Sequence, residues 1–173
     1  PIVLIFTEGT GTDNPFDGVD VENYSKPTFV DIDNDGDQDA FIGREDGTID
    51  FYRNDSTGNT LGFTSVPPIA SPFNGVDVGT CSVPIFVDID NDGDQDAFIG
   101  RGDGTIDFYR NDGSVSAPSF TALTGVDNPL NAVAAGAEST PTFVDIDNDG
   151  DQDLFFGRGY SGIISFYRND GTV

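Results

Sequence analysis

Residues 31–39 read D-I-D-N-D-G-D-Q-D, and the same nine residues return at 88–96 and 145–153. The interval is 57 residues each time. A fixed interval of this size marks a repeat architecture, so the chain is read first as tandem units. Outward from the string, Pro27, Pro84 and Pro141 each precede it by four residues. After it come A-F-I-G-R-E-D-G-T-I-D-F-Y-R-N-D at 40–55 and A-F-I-G-R-G-D-G-T-I-D-F-Y-R-N-D at 97–112. The third copy, L-F-F-G-R-G-Y-S-G-I-I-S-F-Y-R-N-D at 154–170, is one residue longer. Phe6 matches Phe63 and Phe120, Pro15 matches Pro72 and Pro129, and G-V-D-V at 18–21 recurs at 75–78. The divisions are therefore 1–26 (the last strand and connection of a unit), 27–83, 84–140, and 141–173, a partial unit that an N-terminal strand would complete. The set is circularly permuted.

Each unit predicts four short strands. In the first they fall at 28–32, 40–44, 48–53 and 61–66. Asp46-Gly47 between apolar runs is a hairpin signal. Ile49 and Phe51 alternate with Asp50 and Tyr52, the period of a strand with two unlike faces. No segment sustains a helical period, and Gly and Pro recur throughout. Four antiparallel strands per unit and a period near ~50 predict an all-β chain of β-propeller blades, since stacked β-solenoids use shorter repeats. Propellers have about four to eight blades. Three are too few to close a ring alone, so either a partner chain supplies more blades, by self-association into a closed ring or a filament with the exchange of a strand between neighbours, or the units are part of a longer array.

Charge is concentrated as strongly as the repeat. The chain carries 31 acidic and 7 basic residues, a formal charge of −24. Fifteen of those carboxylates sit in the three strings, leaving 16 acidic against 7 basic elsewhere. Such acidity argues against nucleic acid and anionic membrane surfaces as partners. It does not signal disorder, because 36% of residues are hydrophobic and 15 are Phe.

The strings are candidate metal sites. In the first, Asp31, Asp33, Asp35 and Asp39 are assigned side-chain ligation and Asp37 its backbone carbonyl; Gly36 makes the turn that returns the later ligands. The same holds for Asp88, Asp90, Asp92, Asp94 and Asp96, and for Asp145, Asp147, Asp149, Asp151 and Asp153. Hard oxygen donors select calcium over transition metals, and three ions per chain are expected. An EF-hand would place a bidentate Glu at loop position twelve between helices. Here position twelve is Ile42, Ile99 or Phe156, inside a predicted strand. A solvated acidic turn without metal is the plain alternative, and threefold repetition of the string argues against it.

Together, F-V-D-I-D-N-D-G-D-Q-D and A-F-I-G-R-x-D-G-T-I-D-F-Y-R-N-D resemble the FG-GAP/VCBS-type repeats of bacterial secreted and surface proteins, relatives of the integrin α-subunit propeller. The resemblance covers essentially the whole chain. It implies blades of a calcium-binding β-propeller, with each ion in the hairpin between the first two strands of a blade. It also implies an extracellular or cell-surface setting and an adhesive or structural role. Three units stand here where a full ring usually has about seven.

Other chemistry finds less support. No histidine is present, which removes Ser-His-Asp and Cys-His machinery and the commonest zinc ligand. Cys81 stands alone, and its equivalents are Tyr24 and Glu138, so no disulfide and no repeated thiol role is expected. Carboxylate pairs can hydrolyse glycosides, but no acidic pair here is unique to one unit. The chain is therefore read as a non-enzyme. A lectin-like, carbohydrate-binding propeller is the second reading, with a glycan or surface protein as ligand. An accessory domain of an extracellular enzyme is the third. Arg44, Arg101 and Arg158, and Arg53, Arg110 and Arg168, are expected to pair with nearby Asp residues. Tyr52, Tyr109 and Tyr167 are expected to pack between blades rather than to form sugar platforms. Asn23-Tyr24-Ser25 and Asn54-Asp55-Ser56 match the N-glycosylation pattern. No apolar run reaches membrane-spanning length, and Pro1 in place of methionine suggests a processed form or a fragment.

Overall fold

The computed structural model describes residues 4–57, 60–136, 140–158 and 162–171, apart from the Arg158 side chain. They form three antiparallel sheets and no α-helix. The first blade runs β1 (Lys26–Val30), β2 (Asp39–Gly43), β3 (Ile49–Asn54) and β4 (Phe63–Val66). A second blade follows with β5 (Val83–Val87), β6 (Asp96–Gly100), β7 (Ile106–Asn111) and β8 (Phe120–Leu123). The third has β9 (Pro141–Val144), β10 (Asp153–Arg158) and β11 (Ile163–Tyr167). Strands pair in sequence order within each sheet. Single-turn 3-10 helices at Gly11–Asp13, Pro68–Ala70 and Gly125–Asp127 lie in the connections.

The strands start and stop within about two residues of expectation, and the early end of the first has a local cause. The first strand ends at Val30, not at Ile32, because the Asp31 carboxylate accepts amides of the loop and starts the turn there. Asp39 joins β2 instead, opposite Val30.

Burial explains the apolar central strands. Every residue of β2 and β6 is buried, because a neighbouring element covers each face. Along β6, Phe98 faces the third blade, while Ala97 and Ile99 face the first. Phe41 stacks on Phe51 of its own blade at 4.5 Å and meets Phe86 of the next at 4.7 Å. One blade further on, Phe98 stacks on Phe108 at 4.5 Å and meets Phe143 at 4.7 Å. Each such Phe contributes roughly 2–3 kcal/mol by leaving water. The apolar core therefore lies between blades. Strand β5 lies against β1 and β2, and β9 against β5, so the blades follow one another in chain order.

The third sheet has three strands where four were expected. Residues 4–10 form no strand, and Leu4, Ile5 and Phe6 are exposed. The reason is tethering. Phe16, ten residues beyond Phe6, is seated on the first blade against Phe29, Tyr52 and Phe63.

Candidate metal centre

Each acidic string is the hairpin loop between the first two strands of a blade. The backbone makes two left-handed steps inside it, at Asn34 (φ 56°) and Gly36 (φ 98°). Asn is among the few side-chain-bearing residues that tolerate that region, and Gly adopts it freely. The other two loops repeat the pattern at Asn91 and Gly93 and at Asn148 and Gly150. With the chain wound this way, Asp31 accepts the Asp35 amide on Oδ1 and the Gly36 amide on Oδ2, both at 3.1 Å. Asp35 in turn accepts the Asp37 amide at 3.0 Å. Asp88 and Asp92 repeat these bonds in the second loop, and Asp145 and Asp149 in the third.

The winding gathers charge. Asp31, Asp33 and Asp35 each bring a carboxylate oxygen within 4.8 Å of the others. So do Asp88, Asp90 and Asp92, and likewise Asp145, Asp147 and Asp149. Like charges at that spacing repel by about 3 kcal/mol per pair at an effective dielectric near ~20. These are hard oxygen donors, the chemistry that holds a metal ion such as calcium.

Asp39, Asp96 and Asp153 lie beside the triplets at the first residue of the second strand, and they are 2%, 1% and 1% exposed. The Oδ1 atom of Asp39 accepts the Asn54 amide at 2.7 Å. Its Oδ2 is buried without a close hydrogen-bond partner, as is Oδ1 of Asp33, whereas the equivalent oxygens of Asp96 and Asp153 accept long bonds from the Ile89 and Ile146 amides at 3.5 and 3.3 Å. A buried, unpartnered carboxylate oxygen carries the full cost of lost water, which a cation would offset. Burial pushes the Asp39 carboxyl up to about 6; the Asn54 amide opposes the shift, and the charges of Asp33 and Asp35 add to it. Asp96 is likewise raised to about 6 by burial, against the Asn111 amide. Asp37, Asp94 and Asp151 fall outside the close triplets. Burial first, then Asp92 and its neighbours, raise the Asp94 carboxyl. Asp147 is raised by desolvation and by Asp149.

One role was not read from the sequence, that of the Asn in each R-N-D. Asn54 donates its backbone amide to Asp39 and its side-chain amide to the Gln38 carbonyl. Asn111 does the same for Asp96 and Gln95, and Asn169 gives its backbone amide to Asp153. The signal was the unvarying R-N-D at or just past the end of each third strand. This latch also occupies the Asn54 side chain, whose Oδ1 accepts the Ser56 amide.

The arginines do not line the loops. Arg44 pairs with Asp50 at 3.0 Å and Arg101 with Asp107 at 3.4 Å. Arg53, Arg110 and Arg168 pair with Asp55, Asp112 and Asp170; the Arg158 side chain lies outside the described residues. Tyr109 packs edge-on against Phe73 in the core between the first two blades, as expected, whereas Tyr52 packs on Phe16 of the N-terminal connection and Tyr167 on Phe156 of its own blade.

Antiparallel blades in series, each with an Asp-rich hairpin between its first two strands, define a class of acidic-loop repeat protein. The FG-GAP-like repeat matches residues 31–99 and again 88–156. The chain belongs to the FG-GAP-like repeat family. No curated protein matches the chain.

Proposed function

We propose that this chain is a calcium-binding module of an extracellular or surface-exposed protein, whose metal-stiffened blades serve assembly or adhesion rather than catalysis. The observation that carries the reading is the loop geometry, repeated three times with the same left-handed residues and the same internal hydrogen bonds. Calcium takes about six to eight oxygen ligands in a flexible shell. Asp31, Asp33, Asp35 and Asp39 would supply carboxylates and Asp37 its carbonyl, with the equivalent residues in the other two loops. Extracellular calcium modules bind at about 10⁻⁴ to 10⁻³ M, which suits a protein outside the cell. Titration calorimetry should count three ions per chain. Asp33→Ala should remove one and leave two, because repeat contacts are mainly with nearest neighbours. A count of one in the unaltered chain, or a preference for zinc, would refute the assignment.

A carbohydrate-binding role is the second reading. A groove of about 450 Å³ lies between the first and second blades beside the acidic loops, with Asn34, Gln38, Asp94 and Gln95 on its wall. Glycan-array binding that is lost on Gln95→Ala would favour it.

A further inference from the structure

The second and third acidic loops touch. The Nδ2 of Asn91 donates to the Gly150 carbonyl at 3.2 Å, across 59 residues of chain. Both residues sit in the middle of their strings. Asn91 is the left-handed residue between Asp90 and Asp92, two members of the second triplet. Gly150 is the left-handed residue that follows Asp149, a member of the third. Asp88, Asn91 and Gln152 also share the wall of one groove, of about 630 Å³, between these two blades.

The bond joins two hydrogen-bond networks that end on carboxylates. On one side, the peptide group between Asn91 and Asp92 places its amide on Asp88 Oδ1 at 3.1 Å. On the other, the peptide group whose carbonyl Asn91 holds has its amide at Asp151, and that amide donates to Asp149 Oδ1 at 3.0 Å. The amide of Gly150 itself donates to Asp145 Oδ2 at 3.1 Å. A hydrogen bond to a carbonyl polarises its peptide group and strengthens the amide's own donation. The first pair of loops lacks the link. Asn34 and Gly93 line one groove, and no bond joins them among the described residues. Those two blades are tied along their first strands instead, by the Thr28 hydroxyl on the Pro84 carbonyl at 2.7 Å. Ile85, which has no hydroxyl, stands at that place in the second blade.

We infer that the second and third metal sites bind as a cooperative pair, with Asn91 as the coupling residue, while the first site binds independently of both. An ion held by Asp90 and Asp92 fixes the residue between them, and so holds the Asn91 side chain on Gly150. The third loop then has less freedom to lose when its own ion arrives. The reverse holds with equal force, since coupling between two binding sites is reciprocal. Repulsion between two bound cations opposes the effect. Each cation, however, enters a loop of five carboxylates, and salt near ~0.15 M screens exposed charges beyond about 8 Å. One exposed hydrogen bond supports a coupling of about three- to tenfold. The inference rests on the calcium reading proposed above and adds to it a steeper response at two of the three sites.

The test is calcium titration calorimetry of the full chain at about 0.15 M salt. Asp33→Ala silences the first site and leaves the pair. Adding Asp147→Ala leaves only the second site, and adding Asp90→Ala instead leaves only the third. The product of the pair's two stepwise association constants should exceed the product of the two single-site constants by about three- to tenfold. Asn91→Gly should bring that ratio to one, and Asn34→Gly should leave it unchanged. Glycine takes up the left-handed turn freely at both positions, so the strand signal in circular dichroism should not change. Hydrogen exchange reads the link directly. In Asp147→Ala, calcium on the second loop should slow exchange at the Asp151 amide, and it should no longer do so once Asn91→Gly is added. A ratio of one with Asn91 in place overturns the inference, as does a raised ratio that survives Asn91→Gly, or an Asp151 amide indifferent to the second site. Three ions bound independently sink this inference and leave the calcium reading standing. A chain that binds no calcium sinks the calcium reading, and this inference with it.

Discussion

The second and third blades share a string of sequence and differ in what surrounds it. Phe98 and Phe108 are buried in the second blade; Phe155 and Phe166, their equivalents, stack in the same way but stand half-covered. Asn111 is buried behind β8, while Asn169 is partly open. The stacked Phe pair and the Y-R-N-D after it are the same in both blades although residues between them differ, so burial of the pair is set largely by what lies on either side of the blade. A blade in this array gains its stability at its boundaries, as expected for nearest-neighbour repeats.

The acidic loops do not share in that difference. All three have the same turns and the same carboxylate triplets, including the loop of the incomplete blade. Metal removal should therefore act on every blade, and it should give the largest effect. With free calcium at about 100 times the dissociation constant, each site adds about 2.7 kcal/mol, so three would add about 8. For a chain this long the melting temperature should fall by on the order of 20 °C in excess chelator. Coincident melting curves with and without calcium would reduce the loops to acidic turns.

Substitution at matched positions tests the boundary argument directly. Phe98→Ala, made where the side chain is enclosed by two blades, should cost about 3–5 kcal/mol. Phe155→Ala, where the side chain is only partly buried, should cost well under half as much. Urea unfolding monitored by circular dichroism would compare them, and equal costs would mean that the blades do not depend on their neighbours.

A smaller effect concerns pH and has opposite signs in the two metal states. The Asp39 and Asp96 carboxyls are raised to about 6 from an unfolded value near 3.8. In chelator the folded chain holds more protons than the unfolded chain between those values, so stability rises as pH falls from above 6 toward 4. The gain is at most about 3 kcal/mol per group. In calcium the order reverses, because protonated carboxylates release the ion. Melting temperatures measured from pH 7 to pH 4.5 should therefore climb in chelator and drop in calcium. A drop in both would mean that the buried carboxylates are not strained without metal.

The least effect is expected at Arg168. Its pairing with Asp170 is exposed, and exposed ion pairs contribute little. Arg168→Gln should leave the melting temperature unchanged within error, and a clear loss would give the repeated arginines a structural weight that their exposure does not suggest.

Much of this was readable along the chain because it is local. The alternating Asp residues, with Asn and Gly between them, specify the loop's turns wherever it is placed, since the carboxylates bond amides four and five residues on. The Asp-Gly turn and the alternation of Ile49, Phe51 and their polar neighbours likewise specify the hairpin that follows. Harder to read were Asn54 and Asn111, which act across fifteen residues on Asp39 and Asp96. Nothing in R-N-D says which carboxylate it serves until the third strand is laid beside the second.

By itself the sequence determined the repeat, the strand order within a blade and the clustering of charge in three loops, because each depends on residues near one another in the chain. Only the tertiary structure decided that Asp39 would be buried beside its triplet, that Phe98 would be enclosed while Phe155 is only partly buried, and that Phe6 would be exposed. Those outcomes depend on which surfaces meet. Equivalent segments meet different neighbours, and contact with a neighbour removes a side chain from water.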